Sequence, residues 1–193
     1  DPNNELYFYD APLATFLYDL GLTTLYAILG IIFLNIAHYL TDRTVLHKFQ
    51  THKEVIEDRN AGTGAVEFAN YVATGLIVAG ALNGDSGGAW WFGVVTGTAF
   101  FVMAQIVLAL FGIFYQLVTS YDIHAVIEQD NVPAGVALGG NMIAIAIIIL
   151  KTISGDFTTW EGMILDLVIW SIAGFILLLA LRWLIDLFFV PNA

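Results

Sequence analysis

The residues of this chain that could do chemistry are the polar ones set inside long apolar runs: Asn35, His38, Glu67, Asn70, Gln105 and Asn141, with Arg182 near the end of the last run. In hydrocarbon such groups must face protein or water. An ionisable one is a functional-site hypothesis by default, because inserting it near a helix centre costs about 3 kcal/mol. Glu67 is the informative case. It stands about two turns from the nearer end of its run, where local hydration lowers that cost, and Arg182 stands at a comparable depth. Four readings are open to it: an ion pair with Arg182, a protonated carboxyl bonded to a neighbour, the handling of ions or protons, and exposure to water at the membrane face. Structural pairing is favoured among them. Asn70 and Asn141 occupy equivalent places in two runs, which favours interhelical hydrogen bonding over substrate binding.

Other chemistries lack their residues. The histidines, His38, His47, His52 and His124, do not fall at the spacing of a His-Glu-x-x-His zinc helix or a carboxylate-bridged dimetal site, and read as separate surface groups. There is no cysteine, hence no disulfide framework and no thiolate metal site. No glycine-rich phosphate loop, nucleophile elbow or catalytic triad is visible. The expectation is therefore no enzyme, no catalytic residue, no metal and no cofactor. A formal net charge of −11, spread along the chain, excludes the basic footprint of a nucleic-acid binder.

The elements that must position these residues are membrane helices. Hydrophobic residues make up 59% of the chain, charged residues 12%, and the mean hydropathy is +0.79, whereas a soluble domain is about 45–50% apolar. Five runs reach the roughly 20 residues that span a bilayer: Thr15–Leu40, Gly62–Leu82, Trp90–Val118, Pro133–Leu150 and Met163–Val190. None alternates with period two, and lipid admits only helices or closed barrels. The expected fold is all-α, a single polytopic membrane bundle over residues 1–193. The chain starts at Asp1 rather than Met, which implies upstream residues; the first run is too long for a signal peptide and reads as a retained span.

Arg43, Lys48, Lys53 and Arg59, four of the six basic residues, lie between spans one and two. The positive-inside rule makes that loop cytoplasmic, with the N-terminus outside and the C-terminus inside an inner membrane. Arg182 agrees and Lys151 dissents. Tyr7, Phe8 and Tyr9, Trp90 and Trp91, Tyr115, Tyr121 and Trp160 fit interfacial belts, while Trp170 reads as a packing residue.

A segment recurs at an offset of 71: Val55-Ile56-Glu57, Asn60, Gly64, Asn70 and Ala73 match Val126-Ile127-Glu128, Asn131, Gly135, Asn141 and Ala144. The chain reads as a duplicated helical hairpin, with repeat one at about 15–82, repeat two at about 90–150 and an extra span at about 163–190 that resembles half of a third unit. Both copies run the same way through the membrane, so a pseudo-twofold axis along the membrane normal should relate them. Each copy begins with a capped short helix, Thr51 with Glu54 forming a capping box in the first and Asp122 capping the second. Asn60 and Asn131 are then expected to cap the following spans, with Pro133 in the first turn. Gly64, Gly135 and Gly139, with Gly93 and Gly97 in span three, are the small residues expected to bring helix backbones together in lipid.

Glu57-Asp-Arg-Asn60 before a small-residue helix, and Ile127-Glu128-Gln-Asp-Asn131-Val-Pro-Ala-Gly-Val-Ala-Leu-Gly-Gly140, resemble the repeated signature of the bacterial membrane family known as domain of unknown function 350. The resemblance covers roughly Thr51–Leu82 and Asp122–Leu150. It implies a bundle of two copies and four spans in an envelope-maintenance setting, with some members beside membrane-remodelling scaffold proteins. Two features depart from that plan: Glu67 stands where the second copy has Leu138, and a fifth span is present. The functional expectation is a structural or assembly subunit, embedded in the lipid bilayer and associating with itself or with another membrane protein. The alternative is a component of an ion or proton channel or transporter, lined by Glu67 and the embedded amides.

Overall fold

The computed structural model describes residues 12–44 and 53–189, with side chains over 13–40 and 53–184. The expectations for Tyr7, Phe8, Tyr9, His47, Lys48, Thr51 and His52 lie outside the described residues. Six α-helices run in chain order: α1 (Pro12–Thr44), α2 (Ala61–Ala81), α3 (Trp90–Val118), α4 (Ile123–Glu128), α5 (Val132–Ile153) and α6 (Trp160–Phe189), with a turn of π-helix over Lys53–Glu57. All but α4 are long and apolar enough to cross a membrane, and there is no strand among the described residues. The protein is an all-α multi-pass membrane bundle.

Local chemistry sets the helix ends. Asn60 and Asn131 cap α2 and α5, their side-chain oxygens accepting from Thr63 N at 2.9 Å and Ala134 N at 3.1 Å. Asp122 caps α4 by accepting from His124 N and Ala125 N. Before each spanning cap the chain passes through the left-handed region, at Arg59 (φ 55) and Asp130 (φ 59). At the far ends of α2 and α5 it does so again at Gly84 (φ 110) and Gly155 (φ 113), where glycine adopts positive φ without steric penalty. Both pairs are 71 positions apart. The duplication therefore reaches further than the seven sequence matches, through Gly84-Asp85 and Gly155-Asp156 into the turns that lead to α3 and α6. On that pattern α6 is a third lead-in helix after α1 and α3.

The seam between α2 and α5 is the axis of the bundle, and the two helices run parallel. At the cap end, a Cβ on Gly135 would collide with the Gly62 carbonyl; midway, one on Gly139 would lie 2.7 Å from the Ala69 Cβ and 3.1 Å from the Ala65 oxygen. At the turn end, Gly80 meets Ile153 and Gly84 meets the Gly155 backbone. Parallel helices are what a rotation about the membrane normal requires. The pairing is nevertheless not twofold. A twofold seam would use the same face of both helices, yet Gly64, the counterpart of Gly135, has nothing within 4 Å of a Cβ. α2 offers Gly62, Ala65 and Ala69 to the seam; α5 offers Gly135 and Gly139. The copies are joined head to tail.

Around this seam α3 fills the core with Phe101, Leu108 and Phe111 against Ile77, Met142, Ile145 and Ile149. Phe33 of α1 stacks on Phe101 with ring centroids 4.2 Å apart. α6 closes on α5 through Gly174, where a Cβ would lie 2.6 Å from Ile148. At the turn end Phe92, Phe157 and Trp160 form an edge-to-face cluster and Phe100 stacks on Trp160. Trp170, expected to pack internally, is 56% exposed among the apolar side chains of α6. It stands one turn before Gly174, at the edge of the face that α6 presents to α5, and no neighbouring helix covers its ring there.

Candidate functional site: a cap-end bridge and an intramembrane polar cluster

The sequence brings two sets of polar residues together at the cap end of the bundle. The first is a bridge between repeats. Asn60 is buried, and while its oxygen caps α2 its Nδ2 donates to Ile127 O at 2.9 Å, Glu128 O at 3.2 Å and Glu54 Oε2 at 3.1 Å. The carbonyls at the end of α4 have no helical successor and need donors, so one amide satisfies the start of one helix and the end of another. In return, Asp130 Oδ1 accepts from Ala61 N at 2.9 Å and Gly62 N at 3.4 Å. A carboxylate at a helix N-terminus also opposes the positive end of the helix dipole. Asn131 is exposed; its oxygen holds Ala134 N and its Nδ2 has no partner among the described residues. Sequence reasoning treated the two Asn residues as equivalent caps and missed Asp130, whose offset partner is Arg59.

The second set is His38, Glu67 and Tyr71, where α1 crosses α2. His38 Nδ1 lies 3.4 Å from Glu67 Oε1 and 3.2 Å from the Tyr71 hydroxyl, and the His38 and Tyr71 rings stack at 5.4 Å. The Glu67 side chain is 14% exposed and that of His38 39%. Glu67 lies six residues into α2, about 9 Å along its axis, so this is a titratable cluster between the cap end and the middle of a spanning helix. It includes His38, which the sequence had placed among separate surface histidines. The expected partner Arg182 is elsewhere: its Nη1 donates to Thr119 Oγ1 at 2.6 Å and its guanidinium lies 5.3 Å from the centre of the Tyr115 ring. The physical reason is placement. Glu67 faces α1, whereas α6 packs on α5 and the end of α3, across the bundle.

The embedded amides do not bridge helices. Asn141 Nδ2 donates back to Ala137 O, four residues earlier in its own helix, at 2.7 Å. Asn35 does the same to Ile31 O. Asn70 is buried with neither amide atom bonded, and Thr74 Oγ1 and Gln105 Nε2 are likewise buried without partners. Gly97 packs against Ala81 O; stepping eight residues along each antiparallel helix from that contact puts Gln105 level with Ala73, a turn from Asn70 and next to Thr74. These groups share one depth in the core. Gln116, which the sequence reading passed over, holds the turn after α3 by donating to Tyr121 O and accepting from Ile123 N.

Of the small residues, Gly93 meets the Tyr26 hydroxyl, while Gly97, Gly135 and Gly139 face neighbouring helices closely; Gly64 faces open space. The difference between Gly64 and Gly135 follows from the head-to-tail seam, which gives equivalent residues different neighbours.

The sequence pattern of a family described as Domain of Unknown Function (DUF350) matches residues 11–82 and 89–193. No curated protein and no solved structure matches the chain.

Proposed function

We propose that this chain, which belongs to the DUF350 family, is a structural or assembly subunit of a membrane complex. Its place is a bacterial inner membrane with the N-terminus outside and the C-terminus inside, the side chosen by the basic residues between α1 and α2. The observation that carries the reading is the bridge: the duplicated Asn60 and the Asp130 beside its copy reach across to the neighbouring repeat rather than lining a cavity. In lipid, association is driven by packing and interhelical hydrogen bonds rather than by water exclusion. A chain whose two repeats are joined by polar side chains across a close-packed seam is suited to assembly, and the envelope-maintenance setting that the family resemblance implies agrees. Extraction of the full-length protein into native lipid nanodiscs should yield a complex of defined mass with reproducible subunits. A monodisperse monomer with no co-purifying chain would count against the proposal.

A second reading has its own observation. His38, Glu67 and Tyr71 form a continuous titratable cluster at bilayer depth, which suits proton or ion handling. In reconstituted vesicles Glu67→Gln should leave ion and proton fluxes unchanged if the cluster is structural. A flux carried by the original protein and lost in that folded variant would install the second reading.

A further inference from the structure

We infer that a second copy of this chain docks on the free face of α5, its α2 lying on α5 as α5 lies on α2 within one chain. The inference rests on the assembly reading and names the partner. Within the chain, the face of α2 made by Gly62, Ala65 and Ala69 receives the face of α5 made by Gly135 and Gly139. At the offset of 71, the receiving face recurs on α5 as Pro133, Val136 and Gly140, and the inserting face recurs on α2 as Gly64 and Phe68. Both recurrences are uncovered. Val136 is 57% and Phe68 67% exposed, and neither Gly64 nor Gly140 has an atom within 4 Å of a Cβ. A head-to-tail contact leaves one unused face of each kind at its two ends, and joining them between copies builds a ring or an open chain.

Two further observations fit this occupant. Asn60 uses its Nδ2 on the carbonyls at the end of the short helix of the next repeat, whereas Asn131 presents the same amide exposed and without a partner among the described residues. The carbonyls of Ile56 and Glu57 of a second copy would stand at that amide. The other half of the bridge is not needed. Asp130 serves Ala61 N and Gly62 N, but at the start of α5 Pro133 has no N–H and Val132 N already donates to Asp130 O. Arg59 of a second copy, standing where Asp130 stands, would therefore leave no donor unsatisfied. The sizes also match. Phe68 replaces the inserting Gly139 while Gly140 replaces the receiving Ala69, so the larger side chain meets the smaller, in a wider seam than the internal one.

The chain has no cysteine, which allows a direct test in native membranes. A copy carrying Phe68→Cys and a differently tagged copy carrying Gly140→Cys, expressed together and oxidised, should give a covalent dimer that contains both tags. Neither variant alone should form one. A Phe68→Cys copy that crosslinks to itself would overturn the inference. A complex that persists without the mixed dimer would also overturn it while leaving the assembly reading intact, and a monomer throughout would remove both. Independently, Gly140→Leu should abolish the higher-mass species at unchanged helix content and thermal stability. An undiminished complex in that variant would equally refute the docking face.

Discussion

Asn60→Ala should be far more costly than Asn131→Ala, although sequence alone makes the two residues equivalent. Truncating Asn60 removes the cap to Thr63 N and the donations to Ile127 O and Glu128 O from a buried side chain. A lost cap costs about 1 kcal/mol, and each buried bond to a carbonyl left without its donor about 1 kcal/mol more. The bond to Glu54 is part-exposed and adds little. The sum is about 3 kcal/mol, roughly a hundredfold in the unfolding equilibrium. Asn131 makes the cap alone and sits in the open, so its loss should cost about 1 kcal/mol. Equilibrium unfolding of the full chain in mixed micelles, followed by helicity, measures both. Equal losses at the two positions, or less than about 1 kcal/mol at Asn60, would show that the bridge does not bind the repeats together.

Gly139→Leu should prevent stable folding, because even its Cβ would lie 2.7 Å from the Ala69 Cβ with the Ala65 oxygen behind; its offset partner Phe68 is exposed, and the nearby Gly64→Leu, with nothing within 4 Å, should fold normally. Comparable thermal stability of the two variants would contradict the head-to-tail seam. For orientation, a cysteine introduced at Asp156 should react with an impermeant thiol reagent in sealed cells and one at Gln129 should not. The opposite labelling would reverse the assignment of inside and outside.

The apolar runs foretold the five spanning helices closely because lipid imposes a minimum length and forbids unpaired backbone. The caps were legible too: an Asn before an apolar run has few other local uses. What sequence could not give is which face of a helix meets which neighbour. Equal residues at equal offsets suggest equal surroundings, and that inference fails in a head-to-tail series, where the joint occurs once within the chain and takes in Gly135 but not Gly64. Glu67 and Arg182 were paired on depth alone. Depth is readable from position in a run, but azimuth around the bundle is set by tertiary packing, and it separates them. The Gly84 and Gly155 pair lies past the ends of the apolar runs, in turns where a lone glycine carries neither a hydropathy nor a capping signal that would tie it to the repeat.

The repeats differ most in kind where the polar cluster stands. At the offset of 71, Glu67 is answered by Leu138, Tyr71 by Met142 and His38 by Ala109. Leu138 and Met142 are 3% and 0% exposed, enclosed by neighbours on every side. A carboxylate at Leu138 would lose its hydration with no imidazole opposite, a penalty of several kcal/mol that no local partner would offset. At the first repeat the enclosure is incomplete and His38 is at hand. A charge is therefore tolerated at only one of the two equivalent places. The contact between α1 and α2 thus holds an imidazole and a carboxyl that have no counterpart in the second repeat, whereas the middle of the seam between α2 and α5 is built from glycine, alanine and backbone.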